Sequence, residues 1–412
     1  MNGARHRKQA MERVLHINDY PVGTGGGAEV VLAQTLDILG RGGVVIDTFT
    51  AADLASARRT PFRYVDNPLA RRALLEKLHA FRPHVVHLHN YYHVLSPAIL
   101  ATLADYKKEH PLRVVMTAHD YHLICPNAGG SWYRWGSRQR GCIDNDCVKS
   151  LPALLARRWD ERTPWHSLLK LIQHTWNYRW HRREKVIDLV ICPSRFVERM
   201  LAPFGLPTCW LPHPVPRLPI FSTERPRELH FVFAGRLEAE KGLDEFLGLL
   251  PGSFGARLTI VGDGSERTRC EATCAARGWT KQIEFVGRLP HAEALAKIAA
   301  CHVLVQPSRV LETYGLTLIE ALSQGTNILA VDRGAAAEIA AATGVGFLYK
   351  PDDAVSLARQ LELIRAHFVD GTLNRFTIDA FLQNRSEARY LDALLRFYRL
   401  PGSGAAIQPL AA

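Results

Sequence analysis

At 412 residues the chain is long enough for two domains of ordinary size, which excludes a single small binding module. Hydrophobic residues make up 47% and charged residues 22%, enough apolar material for full cores, which excludes wholesale disorder. The net charge of +11 sits in one half: residues 1 to 212 hold 29 Lys and Arg against 18 Asp and Glu, whereas the remainder holds 22 of each.

No run of about 18 consecutive apolar residues occurs, so no membrane-spanning helix is expected. The start, MNGARHRKQAMERVLHIND, is basic without the apolar run of a secretory signal, so a cytoplasmic protein is expected. Eight scattered cysteines without an extracellular signal should stay reduced.

Short β-branched runs alternate with helix-length segments along nearly the whole chain, the pattern of parallel sheets covered by helices. The first series predicts strands at 13–19, 44–50, 84–90, 113–120 and 188–194, most of them ending in Asn, His, Asp or Ser. Ligands of open parallel sheets bind beyond the carboxyl ends of strands, so these polar ends should line a site. The segment 210–229 carries five prolines, which suit a linker. A second series follows at 229–236, 257–264, 283–289, 303–308, 327–332 and 344–350, and residues 388–400 read as an amphipathic helix. The predicted domains are 1–212 and 213–375, with the helical stretch 376–400 returning to the first.

In the first half, the loop GTGGGAE (23–29) follows a strand, and its glycines, Gly26 and Gly27 among them, let backbone approach a phosphate closely. Gly23, Gly25, Ala28 and Asp47 also fit a dinucleotide fingerprint. The intervening NDYPV and the placement of Asp47 inside a strand argue against it. His119 ends a predicted strand and should project toward the site, with His87, His89, His93 and His122 as competitors. Cys125, Cys142 and Cys147 share a segment with His119 and His122, but C-x16-C-x4-C lacks the tight knuckle of a zinc site, and no metal is expected. Residues 130–185 hold 12 Lys and Arg against 5 Asp and Glu, and seven of the eight tryptophans fall in the basic half. Basic residues mixed with Trp suit an anionic bilayer surface. Nucleic acid is the competing acidic partner, and no nucleic-acid module supports it.

In the second half, Gly235, Arg236 and Lys241 lie at a strand-to-helix crossing, a fork and a point charge suited to a diphosphate. Downstream, PSRVLETYGLTLIEALSQG (307–325) places Glu312 in a loop and Glu320 in a helix, and carboxylates there suit vicinal hydroxyls. Between them, the backbone at Gly315, Leu316 and Thr317 opens a helix N-terminus toward an anion.

The ordered pair AGRLEAEKG and ETYGLTLIEALSQG, with GDG and FVGRL between them, resembles the retaining GT-B glycosyltransferases of family 4 across almost the whole chain. That resemblance implies two Rossmann-like domains facing each other across a cleft and transfer of a hexosyl unit from a nucleoside diphosphate sugar. It implies Arg236 and Lys241 on the diphosphate, Glu320 on the ribose and Glu312 on the donor sugar. Gly235, Gly287, Arg288, Leu289 and Tyr314 would border the donor. It implies Gly26 and Gly27 facing phosphates, a functional His119 and no metal cofactor. The motif pair is nearly silent about which sugar is moved. A lipid-linked glycan acceptor of cell-surface polysaccharide synthesis is expected from the charge and Trp split, with the protein peripheral at the inner face of the plasma membrane. A dinucleotide oxidoreductase, a nucleotide-sugar epimerase and a non-catalytic GT-B binding protein are the alternatives.

Overall fold

The computed structural model describes residues 12–23, 26–55, 60–135, 140–143, 150–215, 219, 221, 224–252, 254–374 and 376–399, without the side chains of Arg140 and Cys142. Cys147, Gly25 and the tail 402–412 lie outside the described residues. Contacts divide the chain into two compact units. One runs to Pro193, resumes over Glu198–His213 and takes in the segment from Glu387 on; the other holds Ser194–Val197 and Pro214–Ser386.

The first unit contains strands β1 (Arg13–Ile17), β2 (Val45–Phe49), β3 (Val85–Leu88) and β4 (Arg113–Thr117), a hairpin of β5 (Ser131–Tyr133) and β6 (Arg140–Cys142), then β7 (Leu189–Cys192) and β8 (Thr208–Trp210). Six of these form a parallel sheet in the order β2-β1-β3-β4-β7-β8. Residues such as Val85, Val86, Val114, Val115, Val190 and Ile191 are buried because helices cover both faces, which is why these strands read as continuous apolar runs. The helix Glu387–Tyr398 packs Tyr390, Leu394 and Phe397 against Val14, Val85 and Val115 on one face.

The second unit contains β9 (His230–Ala234), β10 (Arg257–Val261), β11 (Ile283–Gly287), β12 (Val303–Gln306), β13 (Asn327–Val331) and β14 (Phe347–Tyr349). They form a second parallel sheet in the order β11-β10-β9-β12-β13-β14. One face buries Phe231, Phe246, Leu258 and Ile260, and the other buries Val232, Leu304, Leu318 and Ile328. Chain direction across each sheet reverses once, between β1 and β3 in the first and between β9 and β12 in the second. At such a reversal the loops leaving neighbouring strands diverge to opposite faces and open a crevice at the carboxyl ends.

Candidate active site

The crevice of the second sheet is built by two loops, one leaving β9 and the other leaving β12. The first carries Gly235, Arg236 and Lys241 and runs into the helix Leu243–Leu249; the second carries Ser308, Arg309 and Glu312 and runs into the helix Leu316–Ser323. The loops interlock through backbone: the Arg309 amide donates to the Glu240 carbonyl at 2.9 Å, and the Arg309 side chain pairs with Glu245. Glycine makes the approach possible. Gly242 has φ +69°, and a Cβ there would lie 2.2 Å from the Pro307 carbonyl oxygen. On the β10 side, Gly262 has φ +138° and a Cβ would lie 1.8 Å from the Gly235 carbonyl oxygen, so no other residue fits this crossing.

The interlock brings Lys241 Nζ to 2.8 Å from Glu312 Oε1, and Ser308 Oγ donates to the same oxygen at 2.8 Å. Burial alone would raise the Glu312 carboxyl. The ion pair and hydrogen bond with Lys241, the bond from Ser308 and the charge of Arg236 outweigh it and hold the group ionised below its ordinary range. Arg236 is exposed and pairs with Glu240 four residues on, which leaves its guanidinium at the rim. Glu320 projects from the second turn of the helix Leu316–Ser323, and its Oε1 lies 2.8 Å from His291 Nε2. The hydrogen bond to Glu320 raises the His291 pKa. Gly287 ends β11 and pairs with β10 beside Gly262, whose amide donates to the Gly287 carbonyl at 2.8 Å; Arg288 after it is exposed and Leu289 is half-buried.

The structure therefore brings Lys241 and Glu312 into direct contact, with Arg236 close enough to act on Glu312 electrostatically. Tyr314 has a different environment: the residue is 4% exposed and packs in the core with Leu318 and Ile319. Gly315 caps the helix Leu316–Ser323, with Leu316 and Thr317 half-buried at its first turn. Ser308 and His291 escape sequence reasoning: the bond of Ser308 to Glu312 depends on the fold of their shared loop, and the bond of His291 to Glu320 on two helices 29 residues apart in sequence coming together.

In the first unit the reversal between β1 and β3 is fastened by Asp19, which is fully buried. Its carboxylate accepts from the amides of His93, Val94 and Leu95 at 2.7 to 2.8 Å. Gly26 precedes the helix Gly27–Arg41, and the first-turn Glu29 accepts from Asn18 Nδ2 at 3.3 Å. His119 follows β4 and joins a row of imidazoles rather than standing alone. His16 Nδ1 lies 3.1 Å from His89 Nε2, and His89 Nδ1 lies 2.9 Å from His119 Nε2. His119 stacks on His213 at 5.4 Å between centroids. The row arises because β1, β3 and β4 are neighbours and residues two apart on a strand share a face. Burial pushes His119 down to about 4 and His16 down to about 3, and holds His89 well below its ordinary value, so the row is neutral at pH 7.

His16, His87 and His89 bring nitrogens within 4.8 Å of one another, the spacing of a metal site. The remaining bonds oppose that use: His87 is held by Tyr398 Oη and Thr117 Oγ1, both at 2.7 Å, and both nitrogens of His89 are taken by imidazoles. Cys125 is buried and reduced, one of six buried cysteines outside any disulfide among the described residues. Arg183, within the basic segment 130–185, is largely buried, bonding to Asn177 and Asp66.

Residues 219–366 match the family model described as Glycosyl transferases group 1. A glycogen synthase of Mycobacterium tuberculosis is 31% identical over 144 residues, 34% of this chain and 34% of that protein. A phosphatidyl-myo-inositol mannosyltransferase of Mycobacterium leprae is 31% identical over 135 residues, 32% of this chain and 35% of that protein. The matches thus span about a third of the length of these curated relatives. Among solved structures, a sucrose-phosphate synthase of Thermosynechococcus elongatus superposes with a TM-score of 0.63 at 16% identity, covering 94% of this chain and 96% of that one. Anabaena HepE in complex with UDP-glucose gives 0.60 at 15% identity, covering 93% and 98%. The likeness to the Glycosyl transferases group 1 family thus lies in the second unit, and the solved structures share the GT-B fold with this chain, two parallel six-stranded α/β sheets.

Proposed function

We propose that the protein moves a hexosyl unit from a nucleoside diphosphate sugar, GDP- or UDP-linked, to an acceptor hydroxyl with retention of anomeric configuration. The observation that carries this reading is the meeting of Lys241 and Glu312 at the reversal point of the second sheet, 2.8 Å apart and flanked by Arg236. A carboxylate kept ionised by its own cation is ready to accept hydroxyl hydrogens, and the cation is ready to meet an incoming anion. In this reading Lys241 and Arg236 hold the diphosphate, Glu312 accepts from the sugar and Glu320 from the ribose. The backbone amides after Gly315 add the positive end of a helix. Catalysis then rests on preorganised stabilisation of charge building on the departing diphosphate. From the first unit, His119 serves the transferred sugar, and Gly26 and Gly27 serve phosphates. The acceptor is a lipid-linked glycan met at the inner face of the plasma membrane, a reading supported by the cationic, Trp-rich first half.

A thermal-shift panel of UDP, GDP and ADP sugars tests the donor assignment. A ligand at 100 times its Kd stabilises by about 2.7 kcal/mol, which for a domain of this size raises Tm by about 5–10 °C. One base should produce that shift. No shift with any of the three, each at millimolar concentration, contradicts the reading.

A further inference from the structure

The helix Pro164–His174 continues into a π-helical turn, Thr175–Trp180. Its buried side carries Ser167, Gln173, His174 and Asn177 beside Leu171 and Tyr178. Gln173 Nε2 donates to the carbonyls of Tyr64 and Tyr92 at 2.6 and 2.8 Å, and Asn177 Nδ2 donates to those of Val65 and Gln173 at 3.1 and 2.8 Å. Apolar residues also face outward: Trp165 is 56% exposed, Leu168 45%, Ile172 42%, Trp176 38% and Trp180 75%. The steps between them are three or four residues, so they fall on one side of the helix as a continuous stripe. The bonds of Gln173 and Asn177 fix the rotation of the helix, so the stripe cannot turn inward without leaving buried amides unpaired.

Cations accompany the stripe. Residues 151–185 hold eight Lys and Arg against three Asp and Glu. Arg182 and Lys185 are exposed just beyond Trp180, and Arg162 is exposed just before Trp165. At the Trp180 end, Arg179 and Arg182 line a cavity of about 310 Å³ with Leu123, Ile124, Phe204 and Glu184. Scattered exposed apolar residues need no explanation, but an ordered row containing three Trp and flanked by cations does. Indole rings favour the head-group region of a bilayer, and Lys and Arg favour its anionic phosphates.

We infer that the face carrying Trp165, Leu168, Ile172, Trp176 and Trp180 docks on an anionic lipid bilayer, lying in the interface plane with the indoles at head-group depth and Arg162, Arg182 and Lys185 on lipid phosphates. No helix among the described residues is long and apolar enough to cross a membrane, so the attachment is peripheral. This deepens the membrane-facing acceptor of the reading above by assigning it a surface, and it is tested without any donor sugar.

The test is cosedimentation of the full chain with vesicles of equimolar phosphatidylserine and phosphatidylcholine, and with vesicles of phosphatidylcholine alone. The wild type should bind the anionic vesicles, with a blue shift of Trp emission and a loss of binding as salt rises. The triple variant Trp165→Ser, Trp176→Ser, Trp180→Ser should bind at least about tenfold more weakly, since three interfacial anchors are gone. Its exposed positions leave the core intact, checked by an unchanged melting curve. Wild-type protein that ignores anionic vesicles, or a triple variant that binds them equally, overturns the inference. So does a wild-type dimer that the triple variant dissociates without any vesicle binding, since that assigns the face to a second copy of the chain. Failure here with a nucleotide-sugar thermal shift intact leaves the transferase reading standing; a missing thermal shift with vesicle binding intact does the reverse.

Discussion

Replacing Glu312 by alanine should lower kcat on the order of 10²- to 10³-fold, the range seen when one preorganised charged group is lost from a reacting centre. Lys241→Ala should cost at least as much and should also move the pH profile. In the wild type the cation overrides the burial of Glu312 and keeps its carboxyl below the ordinary range. Without Lys241, burial acts with less opposition and the carboxyl pKa rises. The ionised form is the one needed, so activity falls as pH drops through that pKa, and a higher pKa starts the fall at higher pH. The check is kcat/KM against pH for both variants, with circular dichroism to confirm folding. Wild-type turnover in Glu312→Ala, or an acidic limb that stays in place in Lys241→Ala, contradicts the roles assigned to the pair.

Acid should unfold the first unit well before ordinary carboxylate titration. His16 and His174 are held down to about 3 by burial and His119 to about 4, while His87, His89 and His213 lie well below their ordinary value. Their folded pKa values are depressed, so the unfolded chain binds protons that the folded one refuses. The associated stability is fully present above about pH 6.5 and is lost as pH falls toward 4. Each such histidine removes about 2 kcal/mol between pH 7 and 5, and three of them approach the whole stability of a typical domain, about 5–15 kcal/mol. Calorimetry from pH 8 to 5 should show the transition of the first unit collapsing. The variant His16→Asn should flatten its slope, because position 16 then takes up no proton on unfolding. A melting temperature constant down to pH 5 contradicts the neutral imidazole row.

The strands were legible because burial on both faces demands continuous β-branched runs: VVHL at β3, RLTIV at β10 and NILAV at β13 stand out in any window. The hairpin β5–β6 and strand β8 were not, being three residues each, the first among glycines and aromatics and the second beside prolines. The local chemistry of the site was visible in AGRLEAEKG and ETYGLTLIEALSQG, but the contact of Lys241 with Glu312 depends on β9 and β12 being neighbours. Strand order is a property of the sheet rather than of any segment. The same limit hid the imidazole row: HVVHLH announces that His87 and His89 share a face, yet His16 and His119 join them only because β1, β3 and β4 are adjacent. The Trp-rich segment showed composition without direction. Trp159 is fully buried and donates from Nε1 to the Leu154 carbonyl at 2.8 Å, whereas Trp180 faces outward, a difference set by which side of each element finds the core.

Calorimetric titration of UDP, GDP and ADP into the wild type and into the double variant Arg236→Ala, Lys241→Ala tests the central claim, that one crevice of the second unit grips a diphosphate. The account predicts that one of the three nucleotides binds the wild type at one site per chain. It predicts at least about hundredfold weaker binding to the double variant, since two charge-assisted contacts are lost. Equal affinity in the two proteins, or a wild type that binds none of the three, would contradict it.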